Sequence, residues 1–327
     1  MTETSAHADG SASTGEGQVA PLRKRDPATE AFCELCDAED FFVKYDFGLH
    51  KIYRCRKCDF MWLYPKPSTE ELDEVYGFDY YQNDRFFEDT NETIYGYYDY
   101  LSERYIKQQN YDELILHLRE LVADFEPGSS RFLDAGCGLG YLLDVAFDKE
   151  FAVEGIEYNP SAADWIKKKY TFPVFCGDLM KYEGGPFDAI AMLDVIEHLP
   201  DPFASVRKLA SLTKPQGVLM ISTMDCDSTV SRLMGKRLED FRRTREHLYF
   251  FTRSTLTEIL EREGFEIIRI DSYGLPIRMD FLTRRVKLAL PWVGAFLEWV
   301  VKFLRLSSLQ FHFDPGTKML VYARKVR

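Results

Sequence analysis

Three groups of residues have the types and spacing for chemistry. The first is the run from Arg131 to Tyr141, RFLDAGCGLGY. Gly136, Gly138 and Gly140 predict a tight turn that a ligand can approach closely, because no Cβ stands in the way. Phe132 and Leu133 read as the end of a buried strand with Asp134 as its polar terminus. The stretch from Tyr141 to Lys149 reads as a helix whose first N–H groups point back at the turn. Strand, turn and helix together predict a nucleotide-type cofactor site. A dinucleotide fingerprint would need a small residue at the sixth place of G-x-G-x-x-G, where Tyr141 stands. The second group is Asp194, Glu197 and His198, with His247 later in the chain. On a helical turn the first three share one side. Such a set can take a proton from a hydroxyl or hold a divalent cation that lowers the hydroxyl pKa. The third is Cys33-x-x-Cys36 and Cys55-x-x-Cys58, separated by eighteen residues. Two such pairs complete a closed tetrahedral zinc site, which makes the metal structural.

The D-x-G-x-G-x-G pattern from Asp134 to Gly140 resembles the first motif of class I S-adenosylmethionine-dependent methyltransferases. Later segments follow in the order that family requires, over roughly residues 125–325. Val153–Glu157 is a short apolar strand ending in an acid, whose carboxylate can accept both ribose hydroxyls. The segment Cys176–Leu179 places Asp178, with Leu179 beside it, where the adenine amino group would be. Phe187–Leu193 is a fourth strand running into Asp194, and Lys214–Thr223 a turn and a fifth strand. A helix near Thr252–Glu263, closed by Gly264 at the C′ position, leads into Phe265–Ile270. The last strand is Lys318–Arg324. The resemblance implies an α/β, Rossmann-like, doubly wound seven-stranded mixed sheet with a small N-terminal zinc ribbon. It also implies S-adenosyl-L-methionine held by Asp134, Gly136, Gly138, Gly140, Glu157, Asp178, Leu179 and Asp194.

The pattern of an acid, then Glu197-His198, with the later His247, resembles two metal-using groups. These are small-RNA 3′-terminal 2′-O-methyltransferases and ubiquinone-pathway O-methyltransferases, although Asp194 stands where they carry Glu. Three readings stay open: metal-assisted O-methylation, His198 or His247 as a metal-free base, and a purely structural role for the motif. The ribbon and tyrosine segment also resemble sugar C-methyltransferases, but the extra C-terminal domain of that family is missing. A reading from another class, an RNA-binding module on a cofactor-holding fold, is opposed by the intact Asp134, Glu157 and Asp178. The net charge of −12 also argues against a nucleic-acid partner.

At 327 residues, 46% hydrophobic and 29% charged, the chain has the composition of a globular protein with one large and one small domain. Residues 1–30 are small and polar and predict a disordered tail. Residues 31–65 form the ribbon, with strand-like runs Phe41–Tyr45 and Lys51–Arg54. Residues 66–125 form an aromatic-rich helical linker or lid, with eleven tyrosines and phenylalanines from Tyr76 to Tyr105. Tyr111, Leu114, Ile115, Leu118, Leu121, Val122 and Phe125 then give one apolar helix face. Residues 126–327 are the cofactor domain, with a helical insertion at 274–316. No apolar core lies near Met1 and the seven cysteines are an odd number, so a reducing, cytoplasmic compartment is expected.

Residues 231–310 carry fifteen Lys/Arg against ten Asp/Glu, a local +5 in a chain of −12. The densest run is Arg232, Lys236, Arg237, Arg242, Arg243 and Arg245. An anionic acceptor would explain it, within a class of small-molecule, glycan or lipid-linked hydroxyl compounds. In the insertion, Trp292, Phe296, Trp299, Phe303 and Leu306 form a helical stripe. Its expected place is against the protein's own core. Covering the acceptor site, forming a dimer, or lying in a membrane interface through 284–306 are the alternatives.

Overall fold

The computed structural model of the chain describes residues 32–76, 80 and 104–326. The expected tail over residues 1–30, and most of the aromatic segment after Tyr76, lie outside the described residues. Strands β1 (Phe41–Phe47), β2 (His50–Cys55) and β3 (Met61–Tyr64) form an antiparallel meander. Helix α1 (Thr69–Val75) follows, started by a capping box in which Ser68 and Glu71 satisfy each other's backbone amides. Helix α2 (Arg104–Leu121) turns Leu114, Ile115 and Leu118 inward, as the apolar face requires.

The main sheet is built from β4 (Arg131–Ala135), β5 (Ala152–Glu157), β6 (Val174–Cys176), β7 (Phe187–Leu193) and β8 (Thr213–Met224). Two more strands, β10 (Phe265–Ser272) and β13 (Lys318–Lys325), complete it in the order β10-β13-β8-β7-β4-β5-β6. Only β13 runs antiparallel to its neighbours, so the expected seven-stranded mixed sheet is present. Period-two alternation assigns each strand's residues to two cores. Phe132, Ala189, Ala191, Val218 and Met220 pack with α2, α3 (Tyr141–Asp148) and α4 (Pro160–Lys169). Leu133, Ile190, Met192, Leu219 and Ile221 pack with α5 (Pro202–Leu212) and α8 (Arg253–Arg262). Asn159, Asp201 and Thr252 cap the starts of α4, α5 and α8.

Between β8 and α8 the chain makes α6 (Thr229–Met234), α7 (Glu239–Arg242) and the short strand β9 (Tyr249–Phe250). β9 pairs antiparallel with β3, so the first sheet has four strands, β1-β2-β3-β9. The ribbon is therefore not a separate bead. Cys33, Leu35, Phe60 and Trp62 belong to the same apolar core as Ile190, Leu209 and Ile259.

The insertion consists of β11 (Leu275–Arg278), α9 (Met279–Ala289), α10 (Pro291–Phe303) and β12 (Gln310–Phe313). β11 and β12 pair antiparallel and carry the two helices as a hairpin. The expectation that its aromatic stripe packs on the core is overturned: Trp292, Phe296, Trp299 and Phe303 are all exposed. Gly294 and Val301, on the opposite side of α10, form its buried face.

Candidate active site

The glycine turn lies at the C-terminal edge of the main sheet. Gly136, Gly138 and Gly140 all have positive φ, and a Cβ on Gly136 would lie 2.5 Å from Val195 Cγ2. Glycine is required at that position on both counts. Glu157, at the tip of β5, ties the turn down: one carboxylate oxygen accepts from the Gly138 amide and the other from the Asn159 amide, each at 2.7 Å. Gly177 donates to the Glu157 carbonyl at 2.9 Å, which brings Asp178 alongside. Asp178 Oδ1 accepts from the Met180 amide (2.9 Å), and Leu179 is buried next to it. Asp134 is buried, and desolvation with the nearby charge of Glu157 pushes its carboxyl up to about 8. Asp134, the glycine turn, Glu157 and Asp178 thus converge as the motif order implies.

On the adjoining side, the ligand atoms of Glu197, His198 and His247 lie within 4.8 Å of one another, and all three side chains are at least nine-tenths buried. The two imidazole rings meet edge to face at 4.7 Å between centroids. His198 Nδ1 is 3.0 Å from the Glu246 carbonyl. A carbonyl can only accept, so Nδ1 carries the proton and Nε2 keeps its lone pair. Burial, then the charge of Arg243, lowers His198 to about 3. His247 is also held well below the usual imidazole range, chiefly by burial. Both rings are therefore neutral at pH 7, the form that can accept a proton or a cation. Burial and the Asp194 carboxylate raise Glu197 to about 8, and its Oε2 has no hydrogen-bond partner among the described residues.

Asp194 does not join this cluster, contrary to the helical-turn reading. It sits at φ 54° just before the short 3-10 turn Ile196–His198. Its carboxylate instead accepts from Lys318 Nζ on β13 and from Ser222 Oγ on β8 (3.0 Å). A left-handed residue between strand and turn sends its side chain off the common face assumed for a regular helix.

Cys33, Cys36, Cys55 and Cys58 also bring their sulfurs within 4.8 Å of one another, with Cys33–Cys58 at 3.4 Å and Cys36–Cys55 at 3.6 Å. Tetrahedral zinc with Zn–S bonds of about 2.3 Å needs S···S edges of about 3.8 Å, so these thiols fit the ion. The two knuckles are made by tight turns in which Asp37 donates to the Cys33 carbonyl and Asp59 to the Cys55 carbonyl.

A profile of the methyltransferase domain matches residues 105–270, just over half of the chain. The chain belongs to this family. It is similar to a ubiquinone biosynthesis O-methyltransferase of Xanthomonas axonopodis pv. citri (strain 306), 33% identical over 119 residues, 34% of this chain and 49% of that protein. A protein of the same name from Xylella fastidiosa (strain 9a5c) is 34% identical over 105 residues, 29% of this chain and 42% of that protein. The chain spans about half the length of the curated relatives it matches. A solved SAM-dependent methyltransferase from Archaeoglobus fulgidus is 21% identical, with 70% of this chain and all of that one covered at a TM-score of 0.47.

Three residues of the candidate site are not singled out in the sequence, although Tyr76 is among the aromatics of the expected linker or lid. Tyr76 is the one tyrosine of the aromatic segment with a described place against the site. Its ring lies 6.1 Å from His198 and 6.4 Å from Tyr158, and its carbonyl accepts from Asn159 Nδ2 at 2.7 Å. Lys318 and Glu246 are the others, and neither carries a local motif. The basic run divides in the methyltransferase fold. Arg243 is buried against Glu239 (3.5 Å) and Glu246 (2.5 Å), and Arg232 pairs with Asp227 (2.6 Å). Those two guanidiniums serve the protein itself, which weakens the argument from local charge to an anionic acceptor.

Proposed function

We propose that this methyltransferase moves the methyl group of S-adenosylmethionine to a hydroxyl oxygen of a small-molecule acceptor. In this reading Glu197, His198 and His247 hold a divalent cation beside that oxygen. The observation carrying it is the gathering of three buried donor atoms within 4.8 Å of one another. Donors sharing an ion at about 2.0–2.4 Å can be at most about 4.8 Å apart. A single imidazole base would need no such cluster. A cation there would lower the pKa of the acceptor hydroxyl. The name of the relatives, ubiquinone biosynthesis O-methyltransferase, supports oxygen as the receiving atom.

The chain's own residues supply alignment. Asp134, Gly136, Gly138, Glu157 and Asp178 would hold the cofactor along the sheet edge, with Glu157 on the ribose and Asp178 at the adenine. The hydroxyl proton passes to solvent, the sulfonium carbon–sulfur bond breaks as the oxygen–carbon bond forms, and neutral S-adenosylhomocysteine leaves. The main demand on such a displacement is in-line placement of donor and acceptor. The Nδ1 contact to Glu246 fixes the tautomer of His198 and leaves Nε2 as its lone-pair donor. The four ribbon cysteines would hold one structural zinc, away from the reacting atoms.

The test uses Mn2+ as the probe ion with the full, zinc-loaded chain. One Mn2+ should bind per chain by calorimetry or electron paramagnetic resonance. His198→Ala should abolish that binding while affinity for S-adenosylhomocysteine stays within about twofold. Wild-type protein that binds no Mn2+, and whose methyl transfer to a small-molecule extract survives chelation, would overturn the cation. With a 13C-methyl cofactor, nuclear magnetic resonance of the product separates O-methyl from N- or C-methyl carbon.

A further inference from the structure

The hairpin α9–α10 lies outside the residues matched to the methyltransferase domain, and its outer face has no role in the site described above. We propose that this face docks on an anionic lipid surface, with α10 lying along the plane of the membrane. Trp292, Phe296, Trp299 and Phe303 recur at i, i+4, i+7 and i+11, which puts all four in one narrow stripe of the helix. They are 91%, 62%, 62% and 72% exposed. The rings lie over one another, 6.3 Å from Phe296 to Trp299 and 5.7 Å from Trp299 to Phe303. The stripe points away from the helix's own partner. A Cβ on Gly294 would stand 2.2 Å from the backbone of Lys287, so the contact with α9 is made on the opposite side.

Charge decides the occupant. Residues 279–313 carry five Lys/Arg against two Asp/Glu, a local +3 in a chain of −12. Glu298 is shared by Lys287 (3.0 Å) and Lys302 (2.6 Å), which leaves that trio cationic, and Arg284 and Arg305 are exposed beside it. A second copy would bring two strongly anionic bodies together. An anionic bilayer instead attracts the hairpin and repels the remainder, which orients the protein. Tryptophan suits that zone because its ring is apolar while its N–H stays in the hydrated headgroup layer. No helix among the described residues is long and apolar enough to cross a membrane, so the contact is interfacial. The hairpin also reaches the acceptor side. Arg285 of α9 pairs with Glu239 (2.7 Å), which pairs with Arg243, which pairs with Glu246, the residue whose carbonyl meets His198.

The inference is independent of which atom receives the methyl group. The experiment is sedimentation of the full chain with vesicles of phosphatidylcholine alone, or with about a quarter phosphatidylglycerol. Binding is expected to the anionic vesicles, weakening as salt rises. Trp292→Ser/Trp299→Ser should reduce it about tenfold or more. Both rings are exposed, so S-adenosylhomocysteine affinity and melting temperature of the variant should match wild type. Wild type left in the supernatant with both vesicle types would overturn the proposal, as would binding that the double substitution leaves unchanged. A wild-type dimer in light scattering that the substitution dissociates, with no vesicle binding, would assign the face to self-association instead.

Discussion

Leu63 of the ribbon and Leu248 of the methyltransferase domain share a backbone hydrogen bond, in which the Leu63 amide donates to the Leu248 carbonyl at 2.9 Å. The Leu248 amide in turn donates to the Glu197 carbonyl at 2.8 Å. His247 is the neighbour of Leu248, and His198 the neighbour of Glu197. The last ribbon strand therefore bears on both histidine segments through two consecutive bonds. Tyr249 adds a second tie: its hydroxyl donates to Glu34 Oε2 (2.5 Å), one residue after Cys33, and Lys66 pairs with the same Glu34 (2.6 Å).

From this tie follows an expected effect of the four-cysteine ribbon on the histidine cluster. Purified wild type should contain about one zinc per chain. Cys55→Ser should lose it, abolish Mn2+ binding at the histidine cluster, and change S-adenosylhomocysteine affinity by less than about threefold, since the glycine turn lies on other strands. Metal analysis and calorimetry read all three. A zinc-free variant that still binds Mn2+ normally would show that the ribbon does not position the histidines.

Glu157 should contribute to the cofactor twice, through the ribose and through its hold on the Gly138 amide. Glu157→Ala is expected to weaken S-adenosylhomocysteine binding by about 2–4 kcal/mol, the loss of two charge-assisted hydrogen bonds. Titration calorimetry measures it. Affinity unchanged within error would remove Glu157 from the ribose.

The buried Asp134 makes the cofactor-free protein sensitive to pH. Its folded-state value of about 8 lies above the ordinary carboxylate value of about 3.9, so the folded state holds a proton that the unfolded state has released. Stability is full below about pH 4 and is lost as the pH rises through about 8. Asp134→Asn removes that titration. Between pH 5 and 9 its stability should fall by at least about 1 kcal/mol less than wild type, measured by denaturant unfolding. Parallel curves for the two proteins would refute the assignment.

Much of this fold is written in short stretches of chain. The seven main strands follow from apolar runs bounded by turns, the glycine turn from residues that tolerate positive φ, and the two halves of the four-cysteine cluster from tight Cys-x-x-Cys knuckles. Each depends on forces acting within a few residues, so local order suffices to read them. Tertiary structure decided the rest. Asp194 faces Lys318, 124 residues later, because a left-handed bend and a strand at the far end of the chain meet there. His198 takes its orientation from the Glu246 carbonyl, and Tyr76 comes to the site from before the sheet begins. Backbone carbonyls are present at every residue, so no residue type marks which one a histidine will meet. The stripe of α10 has the same spacing whether buried or exposed. An apolar periodicity specifies a face, whereas the packing of the whole chain determines what covers it.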